Sequence, residues 1–230
     1  MKIVVSGASR GIGYELVKQL VSQGHEVLAF ARTEKDLHAL AAEVAGMKGE
    51  FYGMGFDLQS DDYSRIIAAA EKRLTKLDAV VNNAGLLVNK PFLEMTDDDI
   101  YQTFNVNVFA SFKLIRLLFP LMYAGTHIVN ISSIGGFQGS AKFKGLSAYS
   151  ASKGALSILT ECMAEEFAEY GIKANALALG ATQTEMLAQA FPDYKAPLTA
   201  VQMATFIADF TVNGSRYFNG KILPVSLSTP

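Results

Sequence analysis

The opening stretch Met1 to Gly13, MKIVVSGASRGIG, constrains this chain more than any other. Strand formers Ile3, Val4 and Val5 run to Ser6, glycines stand at 7, 11 and 13, and an amphipathic segment follows from Tyr14 to Ser22. That order reads as a buried strand, a tight turn and a helix N-terminus. Such a turn presents free backbone N–H groups and the positive end of a helix dipole to a phosphate. Gly7 permits the turn, Gly11 lets the backbone approach a diphosphate, and Gly13 lets helix and strand pack closely. Together with Ser9, Arg10 and Ile12, these residues form a candidate dinucleotide cradle. No Lys-Ser/Thr pair follows the glycines, so the turn is not a P-loop.

Beyond it, apolar runs alternate with helical periods to the end of the chain, the pattern of a parallel sheet covered by helices on both faces. Strands are expected at Glu26–Ala31, Gly49–Asp57, Leu77–Val81, Thr126–Ser132, Lys173–Leu179 and Lys221–Val225. Helices are expected over Thr33–Ala45, Asp62–Thr75 with Ser60 or Asp61 as cap, and Ala148–Tyr170, closed by Gly171. Asp97–Ala110 and Ser111–Tyr123 form one long helix or two joined by a bend. No repeat or linker interrupts the order, so residues 1–230 are expected to make a single doubly wound α/β domain, a length that buries a full core.

Half the residues are hydrophobic and the formal net charge is −2, a balance that attracts neither nucleic acid nor an anionic membrane. The single cysteine, Cys162, cannot form an internal disulfide, which suits a reducing, cytoplasmic setting, and its neighbours Leu156, Leu159 and Met163 predict a packed thiol. No uninterrupted apolar stretch approaches the ~20 residues that span a bilayer. The chain enters a strand at once, so no signal peptide is expected. His25, His38 and His127 are scattered, and no His/Cys/carboxylate cluster has metal-ligand spacing, so no metal is expected.

Two details bear on cofactor choice. An acid at the end of the second strand commonly holds a ribose 2′-hydroxyl; here the end reads Phe30-Ala31-Arg32. Arg32 and Arg10 instead suit a 2′-phosphate, favouring NADP(H) over NAD(H), with Glu34 close by as a competing acid. Asp57, ending the third strand, either accepts from an adenine amino group beside Leu58 or caps the next helix.

Tyr149 and Lys153 stand four apart and share a helix face. A lysine ammonium ~4 Å from a phenol, at an effective dielectric of ~20, favours tyrosinate by about 4 kcal/mol. That is about three pKa units, which brings the phenol from about 10 to near 7 and makes it a usable acid or base.

These pieces, in this order and spacing, resemble the short-chain dehydrogenase/reductase superfamily, in its short-subunit subfamily. The resemblance runs from Lys2 to about Thr184 and rests on Ser6 to Gly13, Asp57, Asn82-Asn83-Ala84-Gly85, Asn107, Ser133 and Tyr149-x-x-x-Lys153. It implies a doubly wound Rossmann fold with a seven-stranded, mostly parallel sheet. It implies that Tyr149 is the general acid/base, that Lys153 lowers its pKa and holds the nicotinamide ribose, and that Ser133 holds the substrate oxygen. Asn107 would bend its helix and hold a water that relays protons to Lys153. The backbone around Asn82, Ala84 and Gly85 would line the adenosine side, and Thr182 and Thr184 would bond the carboxamide or diphosphate. The resemblance further implies a homodimer or homotetramer paired through the helices Asn107–Tyr123 and Ala148–Tyr170.

The chain departs from that pattern at several places. Ser6 replaces a threonine, Leu179-Gly180 replaces Pro-Gly, and the C-terminus lacks a glycine pair. The Ser133–Tyr149 loop is longer, and its Lys142-Phe143-Lys144 tip could overhang the site. Leu86, Phe92, Phe137, Phe143, Met186 and Phe191 are candidate walls for an apolar or aromatic carbonyl compound. Ser133 lacks the Gly-x-Ser-x-Gly elbow of a hydrolase nucleophile. The resulting expectation is an NADP(H)-dependent oxidoreductase that reduces a small carbonyl compound or oxidises a secondary alcohol. The alternative is a non-enzymatic NADP(H)-binding sensor on the same fold.

Overall fold

The computed structural model describes residues 1–59 and 62–227. Seven strands form one sheet in the order β3-β2-β1-β4-β5-β6-β9. They are β1 (Lys2–Ser6), β2 (Glu26–Ala31), β3 (Glu50–Gly55), β4 (Leu77–Asn82), β5 (Met122–Ser133), β6 (Lys173–Leu179) and β9 (Ile222–Val225). Every pairing is parallel. From β1 the chain winds outward through β2 to β3, then returns to β4 and winds the other way. The carboxyl ends of β1 and β4 therefore flank a crevice at the reversal point, where sheets of this kind take ligands.

Strand periodicity divides the core between two layers. Ile3 and Val5 face α1 (Gly11–Ser22), α2 (Glu34–Val44) and α8 (Ala200–Asn213) with Leu16, Leu40 and Ile207. Val4, pointing the other way, packs with Ile66 of α3 (Ser64–Arg73), Leu114 of α5 (Ala110–Leu118) and Met163 of α6 (Ser147–Glu166). The remaining pieces, α4 (Asp97–Phe104), β7 (Thr182–Gln183), α7 (Glu185–Ala190) and β8 (Leu198–Thr199), border the crevice or the rim.

Several boundaries differ from the sequence reading. The helix expected to reach Tyr123 ends at Leu118, where Phe119–Leu121 makes a 3-10 turn around Pro120, and β5 begins at Met122 because Leu77 pairs with it across a register shift. Between α4 and α5 the helix is continuous but widened, with π geometry over Asn105–Phe109 and Ala110 N–H donating to Asn105 O. Within Asp97–Leu121 an 18-residue window of mean hydropathy 1.3 makes this helix long and apolar enough to cross a bilayer by length and composition alone. Lys113 and Arg116 interrupt the run, so it holds no uninterrupted apolar stretch of that length, and its buried side packs Leu114, Ile115 and Leu118 into the core. α6 stops at Glu166 and continues as a 3-10 turn to Tyr170, closed by Gly171 at φ 68°. Cys162 is exposed rather than packed, because α6 turns Leu156, Thr160 and Met163 inward and Cys162 outward. The expected caps Ser60 and Asp61 lie outside the described residues.

Candidate active site

The glycine turn is built as its residues dictate. Gly7 has φ 76° and lies so near Ala84 that a Cβ would fall 2.7 Å from its Cα; at Gly13 a Cβ would fall 2.1 Å from Gly7 O. Ser6 Oγ braces the turn to the end of β4 by accepting the N–H groups of Asn83 and Ala84, both at 3.1 Å. Asn83 Nδ2 completes the brace by donating to the carbonyls of Ser6 and Gly7 at 3.0 and 2.9 Å. The side chain of the N-cap residue Arg10 makes no capping hydrogen bond, and among the described residues no acid stands in the first turn of α1. Its leading N–H groups and dipole therefore face the cleft unopposed, which is the arrangement a diphosphate requires. The residues present fit a dinucleotide.

The cleft has a volume of about 410 Å³. Gly7, Ser9, Arg10, Gly11, Ile12 and Gly13 line it, as do Arg32, Asp57, Leu58, Ala84 and Gly85. Ser133, Tyr149, Lys153, Thr182 and Thr184 complete the set of sequence-selected residues along its wall. Two selected residues stand behind the wall. Asn82 is buried and donates to Asn130 Oδ1 at 2.7 Å; the neighbouring Asn83 faces the cleft in its place. Successive strand side chains point to opposite faces, a signal in the sequence that could have chosen between them. Asn107 is buried in the π segment, where its Oδ1 accepts Leu86 N–H at 2.8 Å and its Nδ2 donates to Leu86 O and Ser152 Oγ, both at 2.9 Å.

At the end of the cleft beside β2, Arg32 follows the strand into the cleft and is exposed. Glu34 folds away, its carboxylate lying over Gly55 of β3. Arg10 reaches across the mouth to Glu185, Nε to Oε2 3.6 Å, with both side chains half-exposed. Among the described residues Asp57 caps no helix; its Oδ1 accepts Gln59 N–H at 2.9 Å. Tyr63 Oη donates to Leu58 O at 2.7 Å, fixing the residue beside it.

At the other end stand the candidate chemical groups. Ser133 closes β5 opposite Leu179 of β6; with leucine in place of proline the strand carries its ladder through this position, pairing Val225 as well. Lys153 is buried, and its Nζ donates to Ile131 O at 2.7 Å, 5.8 Å from the centre of the Tyr149 ring. Burial lowers the lysine to about 8. Burial also raises the Tyr149 phenol above its ordinary value, and a hydrogen bond with Ser133 opposes that rise. The acidification expected from the lysine's spacing is therefore absent from this geometry. The ammonium is turned to a strand carbonyl, and the phenol answers to its own desolvation.

The apolar wall is partly as expected. Leu86, Phe143, Met186 and Phe191 line the cleft, joined by Leu87, Leu146, Leu187 and Tyr194, which the sequence reading did not select. Phe92 and Phe137 border a neighbouring groove instead, and Phe92 is 76% exposed. Of the loop tip, Phe143 overhangs the cleft, whereas Lys142 folds back to donate to Phe137 O and Ser140 O at 2.9 and 3.0 Å.

A family model described as short chain dehydrogenase matches residues 1–195. A 3β-hydroxysteroid dehydrogenase of Mediterraneibacter gnavus is 35% identical over 86% of this chain and 72% of its own length. Carbonyl reductase (NADPH) 2 of Sus scrofa is 32% identical over 77% of this chain and 70% of its own length. Among solved structures, a short chain dehydrogenase from Burkholderia cenocepacia in complex with NADP superposes with a TM-score of 0.87 at 26% identity, covering 97% of this chain and 95% of that one.

Proposed function

This chain belongs to the short-chain dehydrogenase/reductase family of oxidoreductases, which bind a nicotinamide cofactor, and from that premise we propose that it interconverts a carbonyl and a secondary alcohol with NADP(H), Tyr149 serving as general acid/base. The observation that carries this reading is the convergence of Ser133, Tyr149 and Lys153 on the wall of the cleft that begins at the glycine turn.

When bound, the cofactor supplies or accepts the hydride at the substrate carbon. The proton and its placement fall to the chain. Tyr149 Oη gives its proton to the oxygen that is becoming an alkoxide, and in the reverse direction takes it from the alcohol. A phenol raised by burial is protonated at neutral pH, the form that carbonyl reduction needs. Ser133 Oγ, already hydrogen-bonded to the phenol, is placed to hold the same oxygen. Lys153 would hold the nicotinamide ribose. Both Lys153 Nζ and Asn107 Oδ1 border the space beside Gly85, where a Cβ would lie 3.4 and 3.6 Å from them; this supports a proton path between the two residues. Gly11 to Gly13, Thr182 and Thr184 would hold the diphosphate and carboxamide.

The choice of NADP(H) is supported by Arg32 and Arg10 at the cleft, by Glu34 turning away from it, and by the NADP complex of the Burkholderia relative. The leucine, methionine and phenylalanine wall favours an apolar or aromatic carbonyl compound. A homodimer or tetramer built through α5 and α6 is supported by exposed Phe112 on α5 and Ile158 on α6, with exposed Phe109 at the end of the adjoining π segment, and sedimentation as a monomer at micromolar concentration would refute it. A reducing, cytoplasmic setting without nucleic acid or membrane partners agrees with the small net charge and is part of the same proposal. Fractionation of the native protein with membranes would refute it.

The experiment follows loss of reduced nicotinamide absorbance with acetophenone, benzil and diacetyl. Tyr149→Phe is expected to lower kcat by a factor on the order of a hundred or more while binding NADPH as the parent does. Equal turnover by the variant would remove Tyr149 from its role, and tighter binding of NADH than of NADPH would reverse the cofactor choice.

A further inference from the structure

The loop that follows β4 ties together two segments distant in sequence. Asn89 is exposed and does not line the cleft. Its Nδ2 donates at 2.8 Å to the carbonyl of Ala190, the last residue of α7. Its Oδ1 lies against Gly145, which has φ +82° and where a Cβ would fall 2.0 Å from that oxygen. The next residue repeats the tie, Lys90 N–H donating to Gly145 O at 3.1 Å. Lys90 Nζ in turn grips both oxygens of Asp99 at 2.8 and 2.6 Å. Asp99 belongs to the capping box that starts α4, so the tie is anchored to a regular element.

What the two tied segments carry gives the tie its meaning. The segment ending at Gly145 and its neighbour Leu146 supplies Phe143 and Leu146 to the cleft, and α7 with its continuation supplies Met186 and Phe191. These four apolar side chains stand on two segments distant in sequence, and Asn89 contacts both segments. We propose that Asn89 is a positioning residue that holds the two apolar walls at a fixed spacing and so sets how tightly the non-reacting part of the substrate is gripped. The claim rests on the carbonyl reductase reading above. It assigns to Asn89 no contact with the substrate and no part in proton or hydride transfer. Its effect therefore falls on substrate affinity and not on cofactor affinity.

Asn89→Ala and Asn89→Asp test the tie, the second keeping the shape and removing the N–H donor. In each, hydrogen exchange of the amides in segment 185–191 should quicken about three- to ten-fold, the range a single exposed hydrogen bond controls. With whichever of acetophenone, benzil and diacetyl the parent enzyme reduces fastest, KM should rise by a similar factor. NADPH affinity and kcat should stay within about two-fold, since neither depends on the tie. Unchanged exchange in both variants, or quickened exchange with unchanged KM, overturns the proposal; so does an Asn89→Asp enzyme that behaves as the parent. If the parent reduces none of the three ketones, the carbonyl reductase reading fails instead, and the exchange measurement decides the tie without it.

Discussion

At the scale of single residues, the cleft separates what a spacing rule can foresee from what it cannot. The spacing of four from Tyr149 to Lys153 puts both in the cleft, as helix geometry requires. Their protonation, however, depends on atoms far along the chain: the lysine's hydrogen bond goes to Ile131 O on β5, and the phenol's to Ser133. Neither partner is visible in the local sequence. Because the Ser133 hydroxyl pulls the phenol down against burial, Ser133→Ala should raise it further. For alcohol oxidation, which needs the phenolate as base, the rising limb of kcat/KM against pH should move to higher pH. A limb that stays in place, or moves lower, in the variant would show that the serine does not tune the tyrosine. Asn82 and Asn83 carry a simpler lesson: period-two alternation alone sends one into the sheet and the other to the glycine turn.

At the scale of elements, most strands were legible because continuous apolar runs bounded by turns are what a doubly covered parallel sheet demands. Lys173–Leu179 matches its expected bounds residue for residue. The π segment at Asn105–Phe109 was not, since a one-residue widening of a helix leaves the apolar period nearly intact. Its reason lies across the gap, in the three hydrogen bonds through which Asn107 joins Leu86 and Ser152. Replacing Asn107 by leucine strips partners from the Leu86 peptide groups. The expected cost is about 1–3 kcal/mol of unfolding free energy, measurable by urea denaturation of the parent and variant side by side. A loss below about 0.5 kcal/mol would mean that water or a shifted loop satisfies those groups instead.

Across the whole molecule, the end of the sheet opposite the cleft holds a buried polar joint that the sequence did not announce. His127 in β5 is 1% exposed; its Nδ1 lies 3.1 Å from Thr211 O of α8, and its Nε2 lies 3.0 Å from Asn175 Nδ2 of β6. A neutral ring donating from Nδ1 and accepting at Nε2 satisfies both contacts. Burial holds the imidazole down at about 4, so the folded protein resists the proton that the unfolded chain takes up near 6.5. Stability should therefore be complete above about pH 6.5 and drain as pH falls toward 4, by about 3 kcal/mol in all. Urea midpoints measured near pH 7 and near pH 5 should show the fall, and His127→Gln should flatten it. An equally steep fall in the variant would assign the acid sensitivity elsewhere.

The reversal of winding between β1 and β4 has an evolutionary reading. Arg10, Arg32 and Asp57 all belong to the polypeptide before that crossing, and Ser133, Tyr149, Lys153 and α7 to the polypeptide after it. On the function proposed, substitutions before the crossing would shift coenzyme preference and substitutions after it the choice of metabolite, while the Ser6–Asn83 hydrogen bonds keep the two stretches in register.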